Sequence, residues 1–497
     1  MPPSATTVDQ DQHTSRNPPV LAELQGGAFF EGSWQPVDPA QEVRNPEDGA
    51  LLGHVSTSTP AHVARAVAHL KAGLGRPWPL RSRREALERA AAMLTEHSAR
   101  FATIIASESS KTIREAEREV LRCTETLRLS AAAAAELAGE TLSFEDSLAG
   151  GNKVGWYSRK PVGVVAAITP FNDPLNLVAH KLGPALIGGN GVVLKPSRRT
   201  PLTALAFVQL LLAAGVPGWR IAVLAAGPRV AEALVADPGV DLVSFTGGPE
   251  TAERIAAVAG ARKVVSELGG NNATIVCADA DVVQAGHAIV AGAFGVAGQN
   301  CLSVQRVYVH TSLYDELVIR VTAGAKALKS GRKLDRATDV GPLISEAEAL
   351  RVEAWVEEAR TAGAAVQTGG TRQNAFYEPT VLTDVPEHCR VLRDEVFGPV
   401  VTILPFHDVV EAVAAANSTD YGLQAGVFTH SVDQALGIAE QLDVGAVVIN
   451  ETSDVRIDSM PFGGFKKSGV GREGVRYAVL EMTEPKSTII NLPEQTA

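Results

Sequence analysis

Cys301 stands in the segment GVAGQNCLSV, after a glycine-containing turn and before an apolar run. That setting places a thiol at the mouth of a strand with backbone N–H groups nearby. A nucleophilic cysteine needs such donors and local positive potential to favour the thiolate. A buried, inert cysteine is the competing reading of any single Cys. Two other residues give the thiol something to work with. Asn172, in AITPFNDPLN, lies in a polar turn directly after the apolar run 162–168. A side-chain amide there can donate to the oxyanion of a tetrahedral adduct, or it can serve only its own turn. Glu267, in VVSELGGNN, ends another apolar run and is followed by Gly269 and Gly270. A carboxylate at a strand end can face a cleft and activate water, or it can be a cap or a surface charge.

Strands and turns must bring these residues together. Residues 60–136 read as helical, Ala-rich with apolar residues at helical spacing, and 154–160 reads as an exposed strand. From Val162 the pattern changes. Short runs at 162–168, 191–195, 220–226, 241–247 and 263–269 alternate with helical stretches at 201–214, 229–236 and 249–259. β-branched runs without polar alternation, separated by helices, predict a parallel doubly wound sheet covered on both faces. A second set at 272–279, 301–310, 400–406 and 445–450 predicts a second α/β domain, with a cleft between the two where a small molecule can bind. The tail STIINL, 487–492, reads as a strand that, with 154–160, can add an edge to another subunit's sheet or pack on its own domain.

A chain of 497 residues suits two or three domains. Its net charge of −11 argues against nucleic acid or an anionic membrane surface as the main partner. No apolar run approaches the roughly 18 residues needed to cross a bilayer. The polar first 20 residues or so lack a signal-peptide pattern and read as a disordered lead. Cys123, Cys277, Cys301 and Cys389 show no CxxC or metal-ligand spacing, so no metal site is expected. So few cysteines fit free thiols in a reducing cytoplasm, and leave a disulfide between some pair open.

Seven motifs follow one another: TPFNDP at 169–174, LKPS at 194–197, SFTGG at 244–248, ELGG at 267–270, GQNC at 298–301, EVFGPV at 395–400 and PFGGFKKSGVGREG at 461–474. Each alone is a weak pattern; in this order they resemble the aldehyde dehydrogenase superfamily from about residue 25 to the end. The resemblance implies an α/β fold of two doubly wound, Rossmann-like domains. The cofactor domain would take 21–137 and 159–270, the catalytic domain 271–475, and a small β extension for homodimer or homotetramer assembly 138–158 and 476–497. It implies Cys301 as the nucleophile, and Asn172 with the Cys301 N–H as the oxyanion hole. A hydride would pass to the nicotinamide to leave a thioester, which Glu267 hydrolyses by activating water. Acyl-CoA-forming members lack a glutamate at that position, so Glu267 favours release of the acid. The rivals are an acylating, CoA-dependent enzyme and a non-catalytic binding or structural member of the fold.

A GxGxxG fingerprint is absent after the first strand of the sheet. SFTGGPETAERI offers instead a strand, a glycine turn and a helix start at Pro249 whose N–H groups can hold a pyrophosphate. The resemblance implies cofactor contacts from Thr169, Pro170, Lys195, Ser197, Arg198, Gly227, Phe245, Thr246, Gly247, Gly248, Leu268, Glu395 and Phe397. NAD-preferring relatives often carry a glutamate where this chain has Arg198. An arginine cannot accept a hydrogen bond from a ribose hydroxyl but can pair with a 2′-phosphate, so NADP is favoured over NAD. The substrate side resembles the branch acting on lactaldehyde, phosphonoacetaldehyde and sulfoacetaldehyde. Arg122 and Arg456 can hold an anionic headgroup or form surface ion pairs, and Asp173, Asn300, Thr452 and Phe462 complete the candidate lining. Asn300, where an arginine would suit a phosphonate or sulfonate, and the acidic Asp173 both count against such a group; the expectation is a small polar aldehyde.

Overall fold

The structure is a computed structural model and describes residues 26–36 and 40–493; the expected lead over 1–20 lies outside them. The first sheet has a parallel centre: β1 (Val164–Ile168), β2 (Gly191–Lys195), β3 (Ile221–Val223), β4 (Leu242–Gly247) and β5 (Lys263–Leu268). Their order is β3-β2-β1-β4-β5, extended by antiparallel edges from Ala28–Phe30 with Ser33–Gln35 on one side and Gly469–Val470 on the other. β1 and β4 are adjacent and parallel although β2 and β3 intervene in sequence. The connections therefore reverse direction there, and the carboxyl ends of these two strands are where an open α/β sheet leaves a crevice for a ligand. All five residues of β1 are buried, as its unalternated apolar sequence requires.

The second sheet is built on β6 (Asn272–Val276), β7 (Val304–His310), β8 (Thr380–Thr383), β9 (Val400–Phe406), β10 (Gln424–Phe428) and β11 (Ala446–Ile449). The order β8-β9-β7-β6-β10-β11 is parallel throughout, with Ala365–Thr368 antiparallel at the β8 edge. The sequence reading found four of these six strands and passed over TVLT and QAGVF, too short to stand out beside their neighbours.

Five helices matter to the site: α1 (Ile113–Ala132), α2 (Asn176–Gly188), α3 (Pro228–Ala236), α4 (Pro249–Ala259) and α5 (Val282–Phe294). α1 opens with a capping box, the Thr112 N–H and hydroxyl both donating to the Glu115 carboxylate. α2 is buried along its whole length and ends where Gly189 takes φ +90°. Outside both domains, Lys153–Pro161 pairs antiparallel with Thr483–Asn491 and with Glu140–Leu142. Val154, Trp156, Ile489 and Ile490 of this sheet are exposed. The strand runs three residues past the extension boundary expected at 158. Likewise Gly469–Val470, expected in the catalytic domain, closes an edge of the cofactor sheet.

Candidate active site

The chain approaches Cys301 through a strained loop. Val296, Ala297 and Gly298 all take left-handed φ values, +52°, +53° and +69°, conformations unfavourable for β-branched or alanine residues and retained only where the surroundings fix them. The fixing contacts are visible. The Val296 N–H donates to the second oxygen of Glu115 at 2.7 Å, so the acid that caps α1 also holds this loop. A Cβ on Gly298 would lie 2.1 Å from the Gly398 carbonyl oxygen, which brings the Glu395–Pro399 loop against the nucleophile's own. Cys301 then packs beside Leu302, Leu423, Phe462 and Met460. Burial and the neighbouring Glu267 carboxylate push its thiol well above the usual range, while Arg456 pulls the other way. All four cysteines are free.

Glu267 sits on β5 with both carboxylate oxygens buried and, the adjacent Cys301 thiol apart, without a hydrogen-bond partner among the described residues. Burial, and next the charge of Glu473, push it up to about 7. A carboxyl with that affinity and no fixed partner is free to exchange a proton with a thiol or water. Behind it lies a pair that sequence reading missed. Lys181, fully buried on α2, donates to Glu473 at 2.8 Å, and Thr246 adds a contact to the same oxygen at 3.3 Å. Burial works to raise Glu473, yet Lys181 and Arg456 together hold it well below the usual carboxylate range. The available signal was a lysine inside the apolar helix NLVAHKLGPALIG, since a buried charge needs a buried partner. Thr246, expected at the cofactor turn, thus spends its hydroxyl on Glu473.

Asn172 lies in the turn between β1 and α2, and its side chain and the Cys301 N–H make no hydrogen bond among the described residues. Its neighbours are tightly held. Phe171 stacks edge-on against Phe397, ring centroids 5.8 Å apart. Asp173 pairs with the buried Lys111 and with Arg122 at 3.4 Å. Lys111 also pairs with Glu119 at 2.7 Å, and Glu119 accepts the N–H groups of Leu175 and Asn176 at the start of α2. The residues just after Asn172 are therefore clamped by Lys111 and by Glu119 and Arg122 of α1. The acidity of Asp173, which counted against an anionic substrate, is taken up by these two cations.

The substrate candidates gather on one side. Arg122 makes a two-point pair with Asp458, which also contacts His180 at 2.8 Å. Arg456 lies 4.0 Å over the Phe462 ring, donates to Glu473 at 3.0 Å and keeps a buried Nε with no hydrogen-bond partner. Its side chain is 8% exposed, so it is not the surface arginine that sequence alone allowed. Thr452 is buried, its hydroxyl accepting the Asp454 N–H at 3.4 Å. Asn300 donates to Asp454 and presents its Oδ1 to the Cys301 sulfur at 3.8 Å.

The cofactor candidates line the β1/β4 crevice. Thr169 donates its N–H to the Lys195 carbonyl at 3.2 Å and keeps a buried hydroxyl without a partner; Pro170 follows it in the turn. Gly247 packs on the Phe245 ring, where a Cβ would lie 2.5 Å away, whereas a Cβ on Gly248 would meet nothing within 4 Å. Gly248 is the N-cap of α4 and brings no side-chain hydrogen bond of its own; Pro249 has no N–H and Thr251 donates to the Gly248 carbonyl, so the Glu250 N–H is the donor of the opening turn left for a ligand. A cavity of about 1160 Å³ begins at this turn and runs between the domains past Asp394 and Tyr421. Lys195, pushed down to about 8 by burial and then by the charge of Arg198, has no acidic partner among the described residues. The Arg198 guanidinium leans over Gly227, the cap of α3, and hydrogen-bonds Gln41 at 3.0 Å. The Ser197 hydroxyl accepts the Arg199 N–H within that loop, and Leu268 is buried at the end of β5. Glu395 accepts the Gly270 N–H at 3.1 Å and lies so close over Gly269 that a Cβ there would stand 2.0 Å from its carboxylate. Phe397, beside it, takes φ +46°. The free Glu250 N–H and unneutralised cations fit a pyrophosphate and a phosphorylated or free ribose.

The chain matches the model of the aldehyde dehydrogenase family over residues 34–488. It is 43% identical to the 3-sulfolactaldehyde dehydrogenase of Priestia aryabhattai, over 94% of this chain and 98% of that one. It is 43% identical to aspartate-semialdehyde dehydrogenase 1 of Pseudomonas canavaninivorans, over 92% and 97%. Among solved structures it resembles an NADP-dependent glyceraldehyde-3-phosphate dehydrogenase of Bacillus halodurans in complex with NADP, with TM-score 0.92, 36% identity and coverage of 94% and 99%. A betaine aldehyde dehydrogenase of Staphylococcus aureus in complex with NAD+ gives TM-score 0.92, 30% identity and coverage of 96% and 97%. With a thiol facing an unpartnered carboxyl at the mouth of a doubly wound cofactor domain, and a family match across nearly its whole length, this chain belongs to the aldehyde dehydrogenase family of NAD(P)-dependent enzymes.

Proposed function

We propose that Cys301 attacks a small polar aldehyde and that Glu267 completes its oxidation to the acid. The observation that carries this is the pairing of the Cys301 thiol with a buried Glu267 carboxyl that no other group hydrogen-bonds. Glu267, about half ionised near pH 7, takes the thiol proton as sulfur bonds the carbonyl carbon. The carbonyl oxygen becomes an alkoxide, which Asn172 Nδ2 and the Cys301 N–H stabilise. A nicotinamide bound in the β1/β4 crevice supplies the hydride acceptor that turns this adduct into a thioester. Once the thiol's proton has passed to solvent, Glu267 takes a proton from water, hydroxide adds to the thioester carbon, and sulfur leaves with the electron pair to release the carboxylic acid.

Arg122 and Arg456 receive the polar end of the substrate, preferably an anion, because the acids around them already hold them in place. The named relatives with sulfonate- or carboxylate-bearing aldehydes support this class. For the cofactor, Lys195 and Arg198, neither in an ion pair among the described residues although Glu42 lines the same pocket as Arg198, favour NADP, the 2′-phosphate pairing with Arg198. The exposed sheet formed by Lys153–Pro161 and Thr483–Asn491 serves a homodimer or homotetramer, its apolar side chains covered by another copy.

A panel of anionic, neutral and cationic aldehydes, each run with NAD+ and NADP+, tests both choices. The expected result is highest kcat/KM with a short anionic aldehyde and NADP+, and a loss of at least about tenfold with NADP+ in Arg198→Glu. A kcat/KM tenfold higher with NAD+, or indifference of that variant to the cofactor, contradicts the cofactor choice. Preference for a cationic aldehyde contradicts the arginine assignment.

A further inference from the structure

Cys301 and Leu302 stand just before β7, outside the ladder that would otherwise take up their backbone carbonyls. The pairing of β7 with β6 also slips at once. Asn272 lies opposite Val304 but Ala273 lies opposite Arg306, so Gln305 is an extra residue in β7. Such a bulge bends the strand and re-aims what it carries, and buried carbonyls beside it need donors from elsewhere. Side chains supply them. Asn272 Nδ2 donates to the Cys301 carbonyl at 2.7 Å and to the Ser303 carbonyl at 3.0 Å. Ser453 Oγ donates to the Leu302 carbonyl at 2.8 Å. Asn272 Oδ1 accepts the Gln424 N–H of β10 at 3.3 Å. Carbonyls at one end and an N–H at the other fix which way the amide faces. Asn272 is 2% exposed, so these bonds are made out of reach of solvent. Gly270 leaves the room for them: a Cβ there would stand 2.6 Å from Asn272 Oδ1 and 2.7 Å from the Cys301 carbonyl oxygen.

The peptide after the nucleophile is also held from its other side. The Leu302 N–H donates to Asn300 Oδ1 at 3.2 Å, so the unit joining Cys301 to Leu302 is pinned at its oxygen and at its nitrogen. A peptide is planar, and bonds on its two opposite edges stop it from turning. The peptide before the nucleophile is fixed as well, because the Asn300 carbonyl accepts the Ser303 N–H at 3.0 Å and closes a turn around Cys301 and Leu302. With both flanking peptides fixed, Cys301 keeps only the rotation of its own side chain. We propose that Asn272 is a positioning residue for the nucleophile: by holding the Cys301 carbonyl it sets where the sulfur and the Cys301 N–H point. Asn272 touches no reacting atom and acts only through Cys301, so the assignment rests on Cys301 being the nucleophile, as argued above. The effect is large because attack requires sulfur and carbonyl carbon to meet in one geometry, and a displacement of about 1 Å costs on the order of 100-fold in rate.

Asn272→Leu keeps the branched shape of the side chain and removes its donors. It is expected to lower kcat about 10- to 100-fold, while the Kd for the reduced nicotinamide nucleotide, read by its fluorescence, stays within about twofold of the parent's. Asn272→Ser retains one shorter donor, is expected to fall between the parent and the leucine variant, and carries the test if the leucine variant does not fold. A role confined to general stability would weaken nucleotide binding along with turnover, since both depend on the same domains. A folded variant with the parent's kcat, or a fall in kcat matched by an equal weakening of nucleotide binding, overturns the assignment. Turnover by Cys301→Ser at the parent's rate instead overturns the nucleophile on which the assignment rests, whatever the Asn272 variants do.

Discussion

At the scale of single residues, the chemistry turns on how much proton affinity the protein gives to two neighbours. Burial raises both the Cys301 thiol and the Glu267 carboxyl. The resting pair therefore keeps its proton until an aldehyde arrives, and the carboxyl is the stronger candidate to carry it away. Glu267 must be ionised to accept a proton from water. With its affinity at about 7, the base form is lost as pH falls through that value, so the hydrolytic step should slow about tenfold per pH unit below it. In Glu267→Gln that acid limb is expected to disappear and the acyl-enzyme to accumulate, which stopped-flow turnover from pH 5 to 9 with mass spectrometry of the quenched protein would reveal. An unaltered limb in the glutamine variant would assign the titration elsewhere. Cys301, Asn172 and Glu267 could be proposed from sequence because each lies in one of seven motifs that follow one another in the family's order; the local setting of each alone left an ordinary reading open. Lys181, Glu473 and Lys111 were not, because their significance is a partner far away in the chain: a lysine inside an apolar helix signals that a buried partner exists, but Lys181 meets Glu473 across 292 positions and nothing local names it.

At the scale of elements, the strand–turn–helix unit of β1 and α2 carries Asn172, and α1 decides where that turn lies. Lys111 binds Asp173 while Glu119 takes the first N–H groups of α2, so the positions that follow Asn172 are set by one ion cluster. Asn172→Ala, which removes an oxyanion donor, should lower kcat about 100- to 1,000-fold. Lys111→Met touches no reacting atom but leaves the buried Glu119 carboxylate without its cation and Asp173 with Arg122 alone, a loss that costs about 3–5 kcal/mol in comparable pairs. It should lower kcat about tenfold or more, with recovery when Asp173→Asn is added to remove one orphaned charge. Kinetics and thermal melts of the two singles and the double variant would separate this from general destabilisation: rescue of kcat along with Tm supports the clamp, and a wild-type kcat in Lys111→Met denies it. The elements themselves were largely foreseeable. Runs such as GVVLK and KVVSELG cannot be anything but strands covered on both faces once helices separate them. The topological order was less so, since which strand neighbours β1 depends on crossovers that leave no local trace; nor does sequence reveal that Gly469–Val470 returns to the cofactor sheet.

At the scale of the whole molecule, two α/β domains meet along a cleft and a third, small sheet stands apart from both. Its strand Thr483–Asn491 is exposed along nearly its whole length, with Ile489 and Ile490 among its open side chains. A three-stranded sheet with that much apolar surface is an invitation to pairing. Ile490→Glu is expected to shift the protein to a smaller assembly by sedimentation velocity, and unchanged mass would place the subunit contact elsewhere. The family match and the parallel sheets place the chain among the aldehyde dehydrogenases, and the proposed function turns on a covalent intermediate at one sulfur atom. The most direct test is to quench turnover of a short polar aldehyde with NAD(P)+ and map the acyl mass by peptide sequencing. The acyl group should sit on Cys301, at higher occupancy in Glu267→Gln, and Cys301→Ser should neither carry it nor reduce NAD(P)+ at a measurable rate. A Cys301→Ser enzyme as fast as the parent, or an acyl group found on any other residue, would contradict the mechanism.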